Sequence, residues 1–173
     1  MRSRTGRACV WLCVVALAVT GCAGYRVGPS SGQSAGARSV MVGAFENKTI
    51  QPRLGEYVIN SLRKSLQRDG TYRLDTHDEG DIIMSGVITS YQRAELSVQP
   101  TDVTTAQDYE VTMTAQIKAQ ERATGRIILD KPVRGRTTLR VGADLTSAER
   151  QAIPLLADDL ARKATAMLVD GSW

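Results

Sequence analysis

The chain has 173 residues, enough for one domain that buries its own core. Its 22 Lys and Arg against 18 Asp and Glu give a formal charge of +4, but Arg2, Arg4 and Arg7 stand in an N-terminal stretch without acids, and the remainder carries only +1. A near-neutral body with 5% aromatic residues lacks the composition of a nucleic-acid binder, so no nucleic-acid partner is expected.

The first segment has the layout of an export signal. A basic stretch, Met1 to Arg7, precedes a short apolar run from Ala8 to Thr20. As a helix that run spans only about 20 Å, too short for a stable transmembrane anchor. It leads into Val19-Thr20-Gly21-Cys22, a branched apolar residue, two small residues and a cysteine. This resembles a lipobox, the signal for cleavage before an acylated cysteine. The blander alternative is an ordinary secretory signal with an incidental cysteine. Against it, the other cysteines, Cys9 and Cys13, lie in the leader, and none follows Cys22. The body therefore has no disulfide, no sulfur metal ligand and no thiol nucleophile. Residues 1–21 are read as a removed signal peptide. Cys22 is read as the lipid attachment site, carrying covalent diacylglycerol and an N-acyl chain, and no other cofactor is expected. A single acyl chain binds membranes only marginally, so several are needed for a stable anchor. By resemblance to the usual sorting pattern, Ala23 in place of Asp directs the product to the outer membrane, on its periplasmic face. Residues 22–39, rich in Gly and Ser, form a lipidated flexible tether.

Residues 40–173 are read as a single domain. Val40 to Phe45 is a short strand, followed by a turn through Glu46 to Thr49 and Pro52. From Arg53 to Asp69 the period changes: Leu54, Val58, Leu62 and Leu66 recur every fourth residue, which predicts an amphipathic helix closed by Gly70. Thr71 to Asp75 is a short strand, Asp78 to Gly80 a turn, and Asp81 to Ser97 a long strand. Between Asp108 and Glu121 the alternation is strict. Tyr109, Val111, Met113, Ala115, Ile117 and Ala119 share one face, and Glu110, Thr112, Thr114, Gln116, Lys118 and Gln120 the other. This predicts a sheet with one covered and one wet face. Arg122 to Gly125 is a hairpin turn. The return strand, Arg126 to Val141, places Ile127, Leu129, Val133, Leu139 and Val141 on one parity and Arg134, Arg136, Thr138 and Arg140 on the other. Thr146-Ser-Ala-Glu149 has the spacing of a capping box before a last helix. Pro154 within that helix predicts either a kink or a first helix ending near Ala152. The order implies an α+β fold: one mixed, mostly antiparallel sheet of four to five strands with two helices on one face. The opening strand–helix–strand unit allows one parallel pair.

No catalytic constellation emerges. His77 is the sole histidine, in a polar turn, so neither a zinc site nor a triad can be assembled. Asp158 and Asp159 are neighbours on a helix and diverge, and Asp75, Asp78 and Glu79 lack calcium-loop spacing. No phosphate-binding glycine loop occurs. The chain is read as a non-enzyme without a metal. Arg134, Arg136 and Arg140, with Lys118 on the neighbouring strand, form a basic polar face. It is either solvated or a contact for anionic groups such as the phosphates of a glycolipid, which guanidinium forks bind well.

Taken in order, several segments resemble the lipopolysaccharide-assembly lipoprotein family, LptE. They are the lipobox, Gly24-Tyr25-Arg26-Val27, the strand ending in Phe45-Glu-Asn-Lys-Thr49, and Leu54 with Glu56 opening a helix. Gly80 to Tyr91, Asp108 to Thr114 and Leu156 to Arg162 continue the likeness. The resemblance implies a non-catalytic outer-membrane lipoprotein that plugs and helps assemble the LptD β-barrel and assists delivery of lipopolysaccharide to the cell surface. The implied partners are that barrel, lipopolysaccharide and the membrane. One departure is the segment Ser97 to Gln107, which has no Lys or Arg where basic glycolipid contacts are expected. The alternative is a lipoprotein regulator of peptidoglycan synthases, or a secretion-channel subunit, sharing the strand–FEN–helix opening.

A Cys22→Ser variant is expected to keep its leader, to incorporate no labelled palmitate and to leave the membrane fraction. Unchanged mass and unchanged partitioning would refute the anchor.

Overall fold

The computed structural model describes residues 36–96, 107–141 and 144–171. The leader, Cys22 and the tether up to residue 35 lie outside the described residues, as does the segment 97–106. The elements are β1 (Ser39–Asn47), α1 (Leu54–Asp69), β2 (Arg73–Asp75), β3 (Ile82–Glu95), β4 (Gln107–Glu121), β5 (Ile127–Val141) and α2 (Leu145–Asp170). The strands form one sheet in the order β2-β1-β3-β4-β5. The expected mixed α+β sheet with two helices is therefore the observed fold. β1 runs parallel to both of its neighbours, and the β3-β4 and β4-β5 pairs are antiparallel.

The period-two pattern of β4 decides the layering. Val111, Met113, Ala115, Ile117 and Ala119 are all fully buried on the inner face. Ile82, Met84 and Ile88 from β3, Val40, Val42 and Phe45 from β1, and Leu129, Val133 and Leu139 from β5 complete that face. α1 covers it with Leu54, Val58, Leu62 and Leu66, the stripe the sequence spacing marks, and α2 with Ile153, Leu156, Leu160, Ala164 and Leu168. Met167 is only partly buried beside them. The helices touch each other as well, with the Ser61 hydroxyl donating to Asp158 at 2.6 Å.

Two glycines set how closely the helices dock. A β-carbon at Gly135 in β5 would lie 2.7 Å from the Leu156 carbonyl oxygen and 2.8 Å from Leu160 Cβ, so the backbone of α2 rests directly on the strand. A β-carbon at Gly55 in α1 would lie 2.7 Å from the Phe45 carbonyl oxygen, placing α1 equally close to β1. Such contacts leave no room for any side chain.

The opposite end of the sheet from α2's first turn is tied by polar bonds. Asp81 accepts from the Ser39 amide at 2.7 Å and the Ser39 hydroxyl at 2.8 Å, which joins the starts of β1 and β3. These two bonds hold the Asp81 carboxyl below its ordinary pKa. Arg38 reaches Glu121 at 2.5 Å, and Arg122 donates to the Gly80 and Asp78 carbonyls, binding the β4–β5 hairpin to the same corner. Gly125, at φ 72, makes the expected turn of that hairpin.

Two expectations need correction, and one of the two alternatives at Pro154 falls away. Ile127 is exposed rather than inward. The register pairs Ala119 with Leu129 but Gln120 with Ile127, so one extra β5 residue at the hairpin flips the parity below it. The α2 cap is Asp144 rather than Thr146: its carboxylate accepts from the Thr146 and Ser147 amides, each at 3.0 Å. Glu149, the other half of the expected box, is drawn away to Arg93. Pro154 does not end a first helix near Ala152, because α2 is continuous from Leu145 to Asp170. Burial of Ile153, Leu156 and Ala157 around the proline holds the helix together across the missing amide.

Gly135→Ala is expected to destabilise the domain by about 1–3 kcal/mol through overpacking against α2. The urea midpoint should fall without a change in slope, and an unchanged midpoint would contradict the close docking of α2 on β5.

Candidate interaction surface

Both helices lie on the inner face, so the outer face of β4 and β5 is left mainly to polar side chains, with Ile83 and Val87 of β3 half-buried beside them. Thr112, Thr114, Gln116 and Lys118 of β4 are half-exposed, and Arg134, Arg136, Thr138 and Arg140 of β5 are exposed. The three arginines share one face, as their spacing predicts. Across the ladder Arg134 stands opposite Thr114, Arg136 opposite Thr112, and Arg140 opposite Asp108.

The structure does not gather all four predicted cations. Lys118 stands opposite Asp130, four residues along β4 from Thr114, a separation of roughly 14 Å in a strand. Gln116 donates to that same Asp130 at 2.5 Å, so the position facing Lys118 is acidic. Arg140 forks onto Asp108, with its two bonds at 2.9 and 3.2 Å. That fork lowers the Asp108 pKa and raises that of Arg140. Arg134 and Arg136 have no side-chain ion pair among the described residues. The arginine pair is thus the least compensated positive charge on this face.

β5 is also the edge of the sheet, and α2 protects part of it. In a strand the amide and carbonyl of one residue point to one side and those of the next to the other. The Arg134 carbonyl accepts from Lys163 Nζ at 3.0 Å, and the Arg136 amide donates to Asp159 at 2.9 Å. Lys163 and Asp159 are themselves bonded at 2.7 Å, so a side-chain pair from α2 stands in for the missing neighbouring strand. Burial pushes the Asp159 carboxyl upward in pKa, but the bonds from Lys163 and the Arg136 amide outweigh it and the net direction is down. Pro132 occupies the same edge-facing parity, where its lack of an amide costs no ladder bond. The sequence spacing marks none of these three residues as functional. Pro132 within a long strand was the one available sign of an edge.

A second polar group lies where β3 outruns β1. One extra residue between Ile88 and Ser90 reverses the parity, so that Tyr91, Arg93 and Glu95 face inward opposite Met113, Val111 and Tyr109. Arg93 bonds Glu149 of α2 at 2.7 Å and stands 5.6 Å from the centre of the Tyr109 ring, within cation–π range. Burial, and then the Glu149 charge and hydrogen bond, push the Tyr91 phenol up to about 12. This group stitches the first turns of α2 to the overhanging strands. Among the described residues no group of three or more His, Cys, Asp or Glu could hold a metal ion, and no helix is long and apolar enough to cross a membrane. His77 stays in its exposed turn, and Asp158 and Asp159 diverge to Ser61 and Lys163.

Comparison with known proteins decides the family. The family model described as lipopolysaccharide-assembly, LptE, matches residues 37–168, well over half of the chain. The chain belongs to the LptE family. That family is one of non-enzymatic cell-envelope lipoproteins that work with LptD and lipopolysaccharide. Solved structures agree on the fold. A hypothetical protein of Chlamydia trachomatis aligns with a TM-score of 0.56 at 9% identity, covering 76% of this chain and 96% of that one. A Xanthomonas campestris protein aligns at 0.55 and 9% identity, over 84% and 91% of the two chains. A candidate lipoprotein of Caulobacter crescentus aligns at 0.50 and 13% identity, over 72% and 87%. Among curated proteins none matches the sequence significantly.

The depressed Asp159 pKa has a direction of effect. Its contribution to stability is full above the unfolded carboxyl value of about 3.9 and is lost as pH falls through the lower folded value. Comparing denaturation midpoints at pH 7 and below pH 4 should show a smaller acid-induced loss for Asp159→Asn than for the wild type. Equal losses would remove Asp159 as a clamp.

Proposed function

We propose that this chain is an outer-membrane lipoprotein, anchored by acyl chains on Cys22 after removal of residues 1–21, that seats in the lumen of an LptD-like β-barrel. There it helps assemble the barrel and assists the passage of lipopolysaccharide to the cell surface. The observation that carries the reading is the LptE match over residues 37–168, on a domain whose sheet keeps one face free of helices. A rigid two-layer body with a hydrated Thr, Gln and Arg face suits a water-filled lumen better than a bilayer. Residues 40–173 form the functional body in this reading, and 22–39 the tether.

The basic face supplies the second part of the proposal. Arg134 and Arg136 are the principal contacts for lipopolysaccharide phosphates, because neither side chain is spent on an ion pair within the described structure. Planar guanidinium groups pair with phosphate through two parallel bonds. Arg140 contributes by giving up part of its fork to Asp108, and Lys118 contributes at longer range.

Affinity capture of the full-length lipoprotein from detergent-solubilised outer membranes is expected to recover a large β-barrel. Recovery of a penicillin-binding protein instead would favour the peptidoglycan-synthase regulator. Converting Arg134 and Arg136 together to Glu should weaken lipopolysaccharide binding at least about tenfold, equivalent to ~1.4 kcal/mol. The wild-type affinity should also fall with added salt. Unchanged affinity in the double variant would remove these arginines from the contact.

A further inference from the structure

The clamp from α2 covers only part of the β5 edge. Lys163 and Asp159 satisfy the Arg134 carbonyl and the Arg136 amide. The same parity continues through Thr138 and Arg140, whose edge-facing amides and carbonyls have no hydrogen-bond partner among the described residues. Beside this stretch lies a cavity of about 490 Å³. Thr138, Leu139 and Arg140 line its strand side, and its helix side combines Ala148, Ala152 and Leu155 with the polar Asp144, Ser147 and Gln151. Leu155 is 59% exposed there, whereas the other large apolar residues of the helix are buried or partly buried.

We infer that the open edge of β5 at Thr138–Arg140 is a docking site for an extended segment of a partner protein, added to the sheet as a sixth strand. Strand addition satisfies main-chain donors and acceptors, and alternate side chains supply specificity. Here the two parities of an added strand would meet different surroundings. On the outer face its residues would neighbour Arg136, Thr138 and Arg140, with Arg134 beyond. On the inner side they would enter the cavity and meet Leu155, Ala152 and Ala148. The occupant this selects alternates Asp or Glu with an apolar residue.

Charge also decides against a second copy of this chain. Two β5 edges paired with each other would bring the arginine rows together, and like charges directly opposite across strands are unfavourable. An acidic strand gains where a self-pair loses. The inference shares the arginine face with the lipopolysaccharide reading but rests on backbone groups and a cavity that reading leaves unused, and N-methylation of the peptide tells the two apart.

The test uses the full-length protein in detergent and three end-blocked, fluorescently labelled octapeptides. The first alternates Glu with Val, the second is the same peptide N-methylated at alternate amides, and the third alternates Lys with Val. Anisotropy is expected to show saturable binding of the first, with at least tenfold weaker binding of the other two. Amide exchange at Thr138 and Arg140 should slow on binding. Thr138→Pro removes one edge donor in the manner of Pro132 and should weaken the Glu–Val peptide at least tenfold while leaving the urea midpoint near that of the wild type. A Leu155→Glu variant should also weaken it, and reads the cavity without touching the strand. Equal binding of the methylated and unmethylated Glu–Val peptides would mean simple charge adsorption and would overturn the proposal. Absence of binding at millimolar peptide, or full binding by both variants, would overturn it too.

Discussion

The domain depends on burying one face of the sheet and only one. The inner residues of β4, from Val111 to Ala119, are completely shielded, while the residues between them keep contact with water. A strand that alternates so strictly tolerates no one-residue slip, because a slip would exchange the two faces wholesale. The register of β3 and β5 on either side is therefore held by burial. The helices need only cover what β4 presents, and they do so at van der Waals distance because Gly55 and Gly135 remove the intervening side chains.

One-sided burial has a cost that the structure meets locally. A sheet with helices on one side ends in two strand edges, and the β5 edge is long. The other end is short, because β2 contributes only Arg73–Asp75. On the long side α2 places a lysine and an aspartate against the backbone, and the sequence places a proline where a donor would otherwise be exposed. Electrostatics thus complete what hydrophobic layering leaves unfinished. The same helix is fixed at its beginning by Asp144 and by the Arg93–Glu149 bond. Its position over β5 therefore rests on polar contacts at both ends of the overlap as well as on its apolar stripe.

Much of this was readable from residue spacing. The fourfold spacing of Leu54 to Leu66 and the alternation from Tyr109 to Ala119 reflect local periodicities that tertiary structure did not override. What was not readable turned on single-residue events. The extra residue at the start of β5 moved Ile127 outward, and the irregularity near Ser90 carried Arg93 inward, where it captured Glu149 and dissolved the expected capping box. Asp144 took over because it lies one residue before the helix and can reach two amides. The arginine face was legible as a stripe, but its uneven neutralisation was not: the distance of Lys118 from it and the role of Asp108 depend on cross-strand register. Lys163 and Asp159, four residues apart, carry no sign of this role in the sequence. Only the placement of α2 along the edge gives them a backbone to hold.

The direction of β1 has a further consequence. The described chain enters at Gly36, whose amide bonds the Thr71 carbonyl, and passes at once into the corner fastened by Asp81, Arg38 and the β4–β5 hairpin. In the sequence that corner is the one nearer Cys22, and the start of α2 with the free part of β5 lies at the other end of the sheet. Fourteen peptide steps separate Cys22 from Gly36, which caps the leash at roughly 50 Å even when fully drawn out. On the proposed reading, in which Cys22 carries the acyl chains, a tether of that reach joins the domain at its hairpin pole. The start of α2 and the free part of β5 are then the end of the body farther from the point of attachment.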